Sequence, residues 1–212
     1  GTGSDLARTL ELPASPRSAL ELALEAPPRR FDLLVFEPDD GERRWLLNIA
    51  SVGVSGAVDV AVNTAPKEGG ALALRTTYLR KTVSALWRYE PRPCRVAADG
   101  RVVWNEGFFV AAIANGRYFG QGMKVAPTAD PADGVAELVV VPPVPRWQWP
   151  LRLPQFFAGT HIRLDVVEHR RVRTVRVEPP VEGFPPWDLD GETVPPVAAT
   201  VSVEPSALHF AY

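Results

Sequence analysis

A chain of 212 residues, 46% apolar and with a formal charge of −2 at neutral pH, has the makeup of an ordinary globule, long enough to bury one large all-β domain or two small ones. That charge balance excludes a broad cationic surface for sequence-independent nucleic-acid binding. The single Cys94 excludes an internal disulfide and a cysteine-built metal site, and no apolar run approaches the ~18 residues of a membrane span.

The chain opens on Gly1-Thr2-Gly3-Ser4-Asp5, a glycine turn that feeds a helix begun by Leu6, Ala7 and Leu10. Gly1 and Gly3 permit positive φ, and Thr2, Ser4 and Asp5 are capping residues. Such a turn can set amides against a phosphate, and it can equally be a plain N-cap. Helices are expected over Asp5–Glu11, Pro16–Ala26 and Ala71–Trp87, the last with Leu72, Leu79, Val83 and Leu86 at helical spacing. Strands are expected at Arg95–Ala98 and Arg101–Trp104, which flank the hairpin signal Asp99-Gly100. The apolar runs Phe108–Ala114 and Ala136–Val141 read as buried strands. Alternation at Ile162, Leu164 and Val166, then at Val175 and Val177, continues the sheet. With 22 prolines and 16 glycines cutting the chain into short segments, a sandwich suits it better than a bundle.

The residues able to carry chemistry sit in turns. Asp190-Gly191-Glu192 supplies two carboxylates, although by itself it reads as a hairpin tip like Asp99-Gly100. Asp133, in Asp130-Pro131-Ala132-Asp133-Gly134, offers a carboxylate in a glycine-closed loop, a suitable oxygen set for Mg2+; an Asx-turn is the plainer reading there and at Asp32. In Asn115–Met123 the close spacing of Gly116, Gly120 and Gly122 points to irregular backbone, with Tyr118, Phe119 and Met123 as an apolar wall. His161, His169 and His209 lack partners at metal spacing and are assigned no catalytic role.

Taken in order, the Gly1 turn, Ala114-Asn115-Gly116 through Gly120-Gln121-Gly122-Met123, Ala126-Pro127-Thr128-Ala129, Asp133-Gly134 and Asp190-Gly191-Glu192 resemble the bacterial diacylglycerol kinase and sphingosine kinase catalytic family. The resemblance runs from Gly1 almost to Tyr212 and covers only the later part of that architecture. It implies a mostly β fold, a two-sheet antiparallel β-sandwich with a few short helices near the N-terminus. Residues 1–212 would be one C-terminal domain, with 1–30 as interdomain motif and helices. The nucleotide-binding domain bearing Gly-Gly-Asp-Gly-Thr is absent from this chain.

By the same resemblance, Glu192 is the candidate general base and Asp190 supports or aligns it. Gly1, Thr2, Gly3, Ser4 and Asp5 face ATP. Asp133 holds Mg2+ with Asp32 and Asp5 in its water network, and Asn115, Gly120 and Met123 line the substrate side, with Asn48 bonding loops around the cleft. Three positions depart from the pattern. Ser4 stands where asparagine is common, Ala132 replaces an acidic residue, and Leu34 replaces a glycine. They leave room for altered metal affinity. The implied function is the substrate-side domain of an ATP-dependent, Mg2+-using lipid kinase that converts diacylglycerol to phosphatidic acid. The implied setting is cytoplasmic, peripheral to the membrane and partnered by its nucleotide domain, with a homodimer allowed. The alternative is a non-catalytic lipid-binding or regulatory sandwich of the same descent. Arg146-Trp147-Gln148-Trp149 and the following Leu151, Leu153, Phe156 and Phe157 suit a membrane interface, or else a short helix packing its aromatics over the sandwich.

Overall fold

The computed structural model describes residues 4–63, 80, 83–120, 122–180 and 183–211. These build two six-stranded antiparallel sheets. The first runs β2 (Arg44–Leu46), β1 (Pro28–Pro38), β12 (Ala199–Ala211), β9 (Thr174–Glu178), β4 (Arg95–Ala98) and β5 (Arg101–Trp104). The second runs β11 (Glu192–Val194), β10 (Trp187–Leu189), β3 (Ile49–Gly53), β6 (Val110–Ala114), β7 (Ala136–Val141) and β8 (Glu168–Val172). The β-sandwich expected from the sequence is the fold observed.

Alternation decides which side chains enter the space between the sheets. Leu34, Phe36, Val96, Val175 and Val177 from the first meet Ala50, Val52, Ala111, Ile113 and Leu138 from the second, with Phe36 edge-on to Trp187 at 5.1 Å. The second sheet is covered on its other face too. There Ile49, Val110, Ala112, Ala114, Val139 and Val141 pack beneath Phe156 of a later helix and the loop residues Val125 and Ala126. Burial on both faces is why Phe108–Ala114 and Ala136–Val141 are unbroken apolar runs.

The expected hairpin at Asp99-Gly100 is present, with φ of 46° and 80°, the left-handed pair that a two-residue turn between twisted strands requires. Helices α1 (Asp5–Thr9) and α2 (Pro16–Glu25) lie where expected, and α1 stops short because Glu11 turns left-handed at φ 55°. Of the helix expected over Ala71–Trp87, residues 71–79 and 81–82 lie outside the described residues, while 83–88 are helical.

Two local expectations are corrected. Thr160–Val166 is no strand: His161–Arg163 forms a 3₁₀ turn, from which Ile162, and just after it Leu164, pack against the second apolar cluster. And a helix not anticipated, α3 (Val54–Asn63), leaves β3 directly, with Gly53 turning the corner at φ 111°. A side chain at Gly53 has no room, because a Cβ would lie 2.6 Å from the Phe109 carbonyl oxygen. The last helix, α4 (Trp149–Ala158), buries Phe156 and sets Trp149 4.1 Å from Phe109, so part of its aromatic content does cover the sandwich.

Candidate functional site

The two Asp-Gly hairpins share a device. Asp190 and Gly191 take φ of 53° and 91°, like Asp99 and Gly100, and both aspartates leave their hairpins to bind the backbone of another segment. Asp99 Oδ1 accepts the amides of Arg173 and Thr174 at 3.0 and 2.9 Å. Asp190 does more: its carboxylate accepts the amides of Leu47 at 2.8 Å, Asn48 at 3.1 Å and Ile49 at 2.7 Å. Burial raises the Asp190 pKa, and the three amides pull the other way. With three amides on its oxygens, Asp190 holds the turn against the β2–β3 link, which suits the aligning role better than proton transfer.

Glu192, the first residue of β11, is the opposite case. Its side chain is 79% exposed, and its nearest ionic partner is Arg44 of β2 at 3.5 Å. Of the carboxylates at this turn it is the one that, among the described residues, accepts no backbone amide.

From the clamped 47–49 segment a hydrogen-bond path runs inward. Asn48 Nδ2 donates to the Tyr118 carbonyl at 3.0 Å, and the Asn48 carbonyl accepts the amides of Asn115 and Gly116 at 2.8 and 3.1 Å. Asn115, fully buried, donates from Nδ2 to the carbonyls of Leu47 and Asp32, each at 2.9 Å. The structure thus places Asn115 inside the fold, pinning three segments, and puts Gly120 and Met123 at the rim. There Phe119 and Met123 exchange backbone bonds at 3.0 and 3.1 Å, closing a tight loop at Gly120 and Gly122. Helix α1 docks beside it, with Thr9 Oγ1 accepting the Arg117 amide at 2.9 Å. Ser4 is the left-handed N-cap residue of α1, and Asp5 forms an ion pair with Arg8 at 2.8 Å; Gly1, Thr2 and Gly3 lie outside the described residues.

The acidic loop comes next to Asp32, but its oxygens are engaged. Asp32, 1% exposed at a bulge in β1, accepts the Gly134 amide at 2.7 Å and the Ser206 amide at 2.6 Å. Asp133 accepts the Val135 amide at 3.1 Å on one oxygen and meets the Arg171 guanidinium on the other. Among the described residues, no group of three His, Cys, Asp or Glu side chains is placed to hold a metal ion. The donor set therefore does not fit Mg2+ as arranged: a guanidinium occupies the face of Asp133 that a cation would take, and Asp32 is a backbone clasp.

Sequence reasoning passed over Asp59 of α3 and Asp188 of β10, which meet behind the Asp190 turn. It also gave no place to a half-open cleft of about 210 Å³ between segment 83–88 and α4, lined by Leu86, Tyr89, Phe109, Val144 and Trp149.

With this geometry in hand, comparison with known proteins is specific. Residues 48–212 match the model of the YegS C-terminal NAD kinase beta sandwich-like domain. A diacylglycerol kinase of Mycobacterium tuberculosis is 30% identical over 209 residues, 98% of this chain and 65% of that protein. A "Probable lipid kinase YegS-like" of Chromohalobacter salexigens is 31% identical over 193 residues, 91% of this chain and 58% of that protein. A solved diacylglycerol kinase of Bacillus anthracis superposes with a TM-score of 0.69 at 19% identity, over all of this chain and 66% of that one, a likeness of fold. The chain spans less than two thirds of the length of these relatives.

Proposed function

The chain belongs to the YegS C-terminal, NAD kinase β-sandwich-like domain family, and from that premise we propose that it is the substrate-side domain of an ATP-dependent lipid kinase acting on a membrane-lipid hydroxyl. Diacylglycerol is the first candidate, since relatives carry that name; a sphingoid base is the next. The observation that carries the reading is the division of labour in one turn, where Asp190 is consumed by three backbone amides and Glu192 two residues on is held outward.

Phosphoryl transfer needs the acceptor hydroxyl in line with the γ-phosphorus and a group to take its proton. In this reading the hydroxyl lies against Glu192. Its oxygen bonds to phosphorus as the bond to the ADP oxygen breaks, and its proton passes to the Glu192 carboxylate. ATP supplies the phosphoryl group and is held chiefly by a nucleotide domain joined ahead of residues 1–5. Because the Asp133 loop does not fit Mg2+, an ion accompanying ATP would be carried by the nucleotide. Acyl chains have the apolar cleft beside α4. Membrane contact, from the cytoplasmic side, falls to the face where Trp147 and Leu151 are 72% and 68% exposed next to Arg146 and Arg152. Among the described residues no helix is long and apolar enough to cross a membrane.

The test is transfer of labelled phosphate from ATP to diacylglycerol in mixed vesicles by the full-length protein, with and without Glu192→Gln. Loss of turnover in the variant at unchanged folding supports the base assignment. Turnover equal to wild type ends it, and no transfer to any lipid alcohol by the wild type favours the binding-module alternative.

A further inference from the structure

The turn that carries Glu192 is held from a second side, by α3. Asp188 accepts the Gly191 amide on Oδ1 at 2.8 Å, and its Oδ2 lies 3.2 Å from Ser51 Oγ. Ser51 Oγ is also 2.8 Å from Ser55 Oγ in the first turn of α3. A hydroxyl has one proton and a carboxylate only accepts, so Ser55 donates to Ser51 and Ser51 to Asp188.

Four residues beyond Ser55, on the same face of α3, Asp59 reaches the Asp188 side chain. Its Oδ2 is buried and meets no donor among the described residues. A buried carboxyl oxygen without a donor, one helical turn along from the Ser55–Ser51–Asp188 path, is satisfied by one proton held between the two carboxyl groups.

No cation among the described residues of the elements packed on α3 offsets a second negative charge. Among the described residues of the elements packed on α3, the ionisable side chains are Asp188 of β10 and Glu192 of β11, with Asp190 between them; β3 carries none, and Asp59 is alone on α3. At the turn itself, Arg44 is engaged with Glu192.

We propose that Asp59 is a positioning residue for the Glu192 turn: by sharing a proton with Asp188 it latches α3 onto β10, and the latch opens when the pair loses that proton. Its structural half stands on this chain alone; its catalytic half rests on Glu192 as base. Burial, then the Asp188 charge, raises the Asp59 pKa to about 7, and burial raises Asp188 as well. A carboxyl with a folded pKa above its unfolded one binds more protons when folded. Its contribution is full below about pH 4 and is lost as pH climbs through about 7.

The experiment is thermal unfolding of the 212-residue chain from pH 4.5 to 8.5 at fixed ionic strength, for wild type, Asp59→Asn and Asp59→Ala. Wild type is expected to lose Tm across that interval. Asp59→Asn, whose amide donates to Asp188 without a titrating proton, should hold a flatter profile and exceed wild type at the alkaline end. Asp59→Ala should be flat as well, with the lower Tm at pH 5. Parallel profiles for wild type and Asp59→Asn overturn the latch. In the full-length protein, Asp59→Ala should lower kcat about tenfold or more with KM for ATP unchanged, and Asp59→Asn should restore it and remove the alkaline fall. Unchanged kcat in Asp59→Ala overturns the positioning role. Full turnover in Glu192→Gln removes the base while leaving the thermal result intact, so the two failures are told apart.

Discussion

Ile49 and Asp190 hold each other twice: the Ile49 amide donates to the Asp190 carboxylate at 2.7 Å, and the Asp190 amide donates back to the Ile49 carbonyl at 3.0 Å. The β10–β11 turn is thereby locked to the head of β3, and with it the starting point of β11 and the direction of Glu192.

Asp190 and Glu192 should therefore separate in mutational behaviour. Asp190→Ala strands the amides of 47, 48 and 49, at a cost of about 2–3 kcal/mol in stability. Glu192→Gln, at an exposed position, should move Tm by no more than ~2 °C while lowering lipid phosphorylation by roughly 10²–10⁴. Thermal melts of both variants decide it. An Asp190→Ala protein as stable as wild type would mean the clamp contributes nothing.

Metal addition tests the acidic loop. With Arg171 against Asp133 and two amides on Asp32, millimolar Mg2+ or EDTA should leave the Tm of the chain where an ionic-strength control puts it. Asp32→Ala, by contrast, leaves the Gly134 and Ser206 amides without acceptors and should cost about 3 kcal/mol. A saturable Mg2+-dependent rise in Tm, lost in Asp133→Asn, would restore the loop as an ion site.

Legibility followed the range of the forces. Arg95–Ala98 and Arg101–Trp104 were readable to the residue because Asp99-Gly100 fixes the hairpin locally, and β6 and β7 because burial on two faces leaves an unbroken apolar run. Helix α3 was not, since Val58-Asp59-Val60-Ala61-Val62 alternates like a strand and carries β-branched residues; packing against β3 and β10 overrides that preference. Ile162 and Leu164 deceived in the other direction, facing one apolar cluster from a 3₁₀ turn and a loop. At the site, Glu192 and Asp190 could be nominated from their motif, whereas the Asp59–Asp188 contact joins segments far apart in the chain and has no local signature.

The exposed face of α4 and of the 3₁₀ turn before it, Arg146–Gln148, should bind anionic vesicles. Trp147, Leu151 and Phe157 are 72%, 68% and 49% exposed, and Arg146 lies 5.8 Å from the ring of Trp87, itself 56% exposed. Trp147→Ala combined with Leu151→Ala should reduce co-sedimentation with vesicles rich in anionic lipid, while Tm stays within ~2 °C of wild type. The residual binding should weaken with salt, as expected for arginines at a headgroup layer. Undiminished sedimentation in the double variant would place the contact elsewhere.

Cys94 should resist thiol reagents until the sandwich opens. It is 3% exposed, its Sγ lies 3.4 Å from the Glu178 carbonyl oxygen, and burial pushes its pKa up to about 12. A thiol so placed holds almost no thiolate at pH 8. Labelling should follow the unfolded fraction across a denaturant titration; rapid labelling of the native chain would contradict its burial.

Gly56→Ala sets helix propensity against packing. Replacing glycine inside α3 should favour the helix by about 1 kcal/mol. Yet a Cβ at Gly56 would stand 1.9 Å from the Pro186 carbonyl oxygen and 2.8 Å from its carbon, backbone atoms that no rotamer change can move. Packing should win, because α3 must lift from the chain entering β10, which costs ~3 kcal/mol or more. The same displacement draws Asp59 away from Asp188, so the variant should lose both Tm and the steeper part of the pH profile. A Gly56→Ala chain that melts at or above the wild-type temperature would show that α3 does not rest on Pro186, and the hold of that helix on the Glu192 turn would go with it.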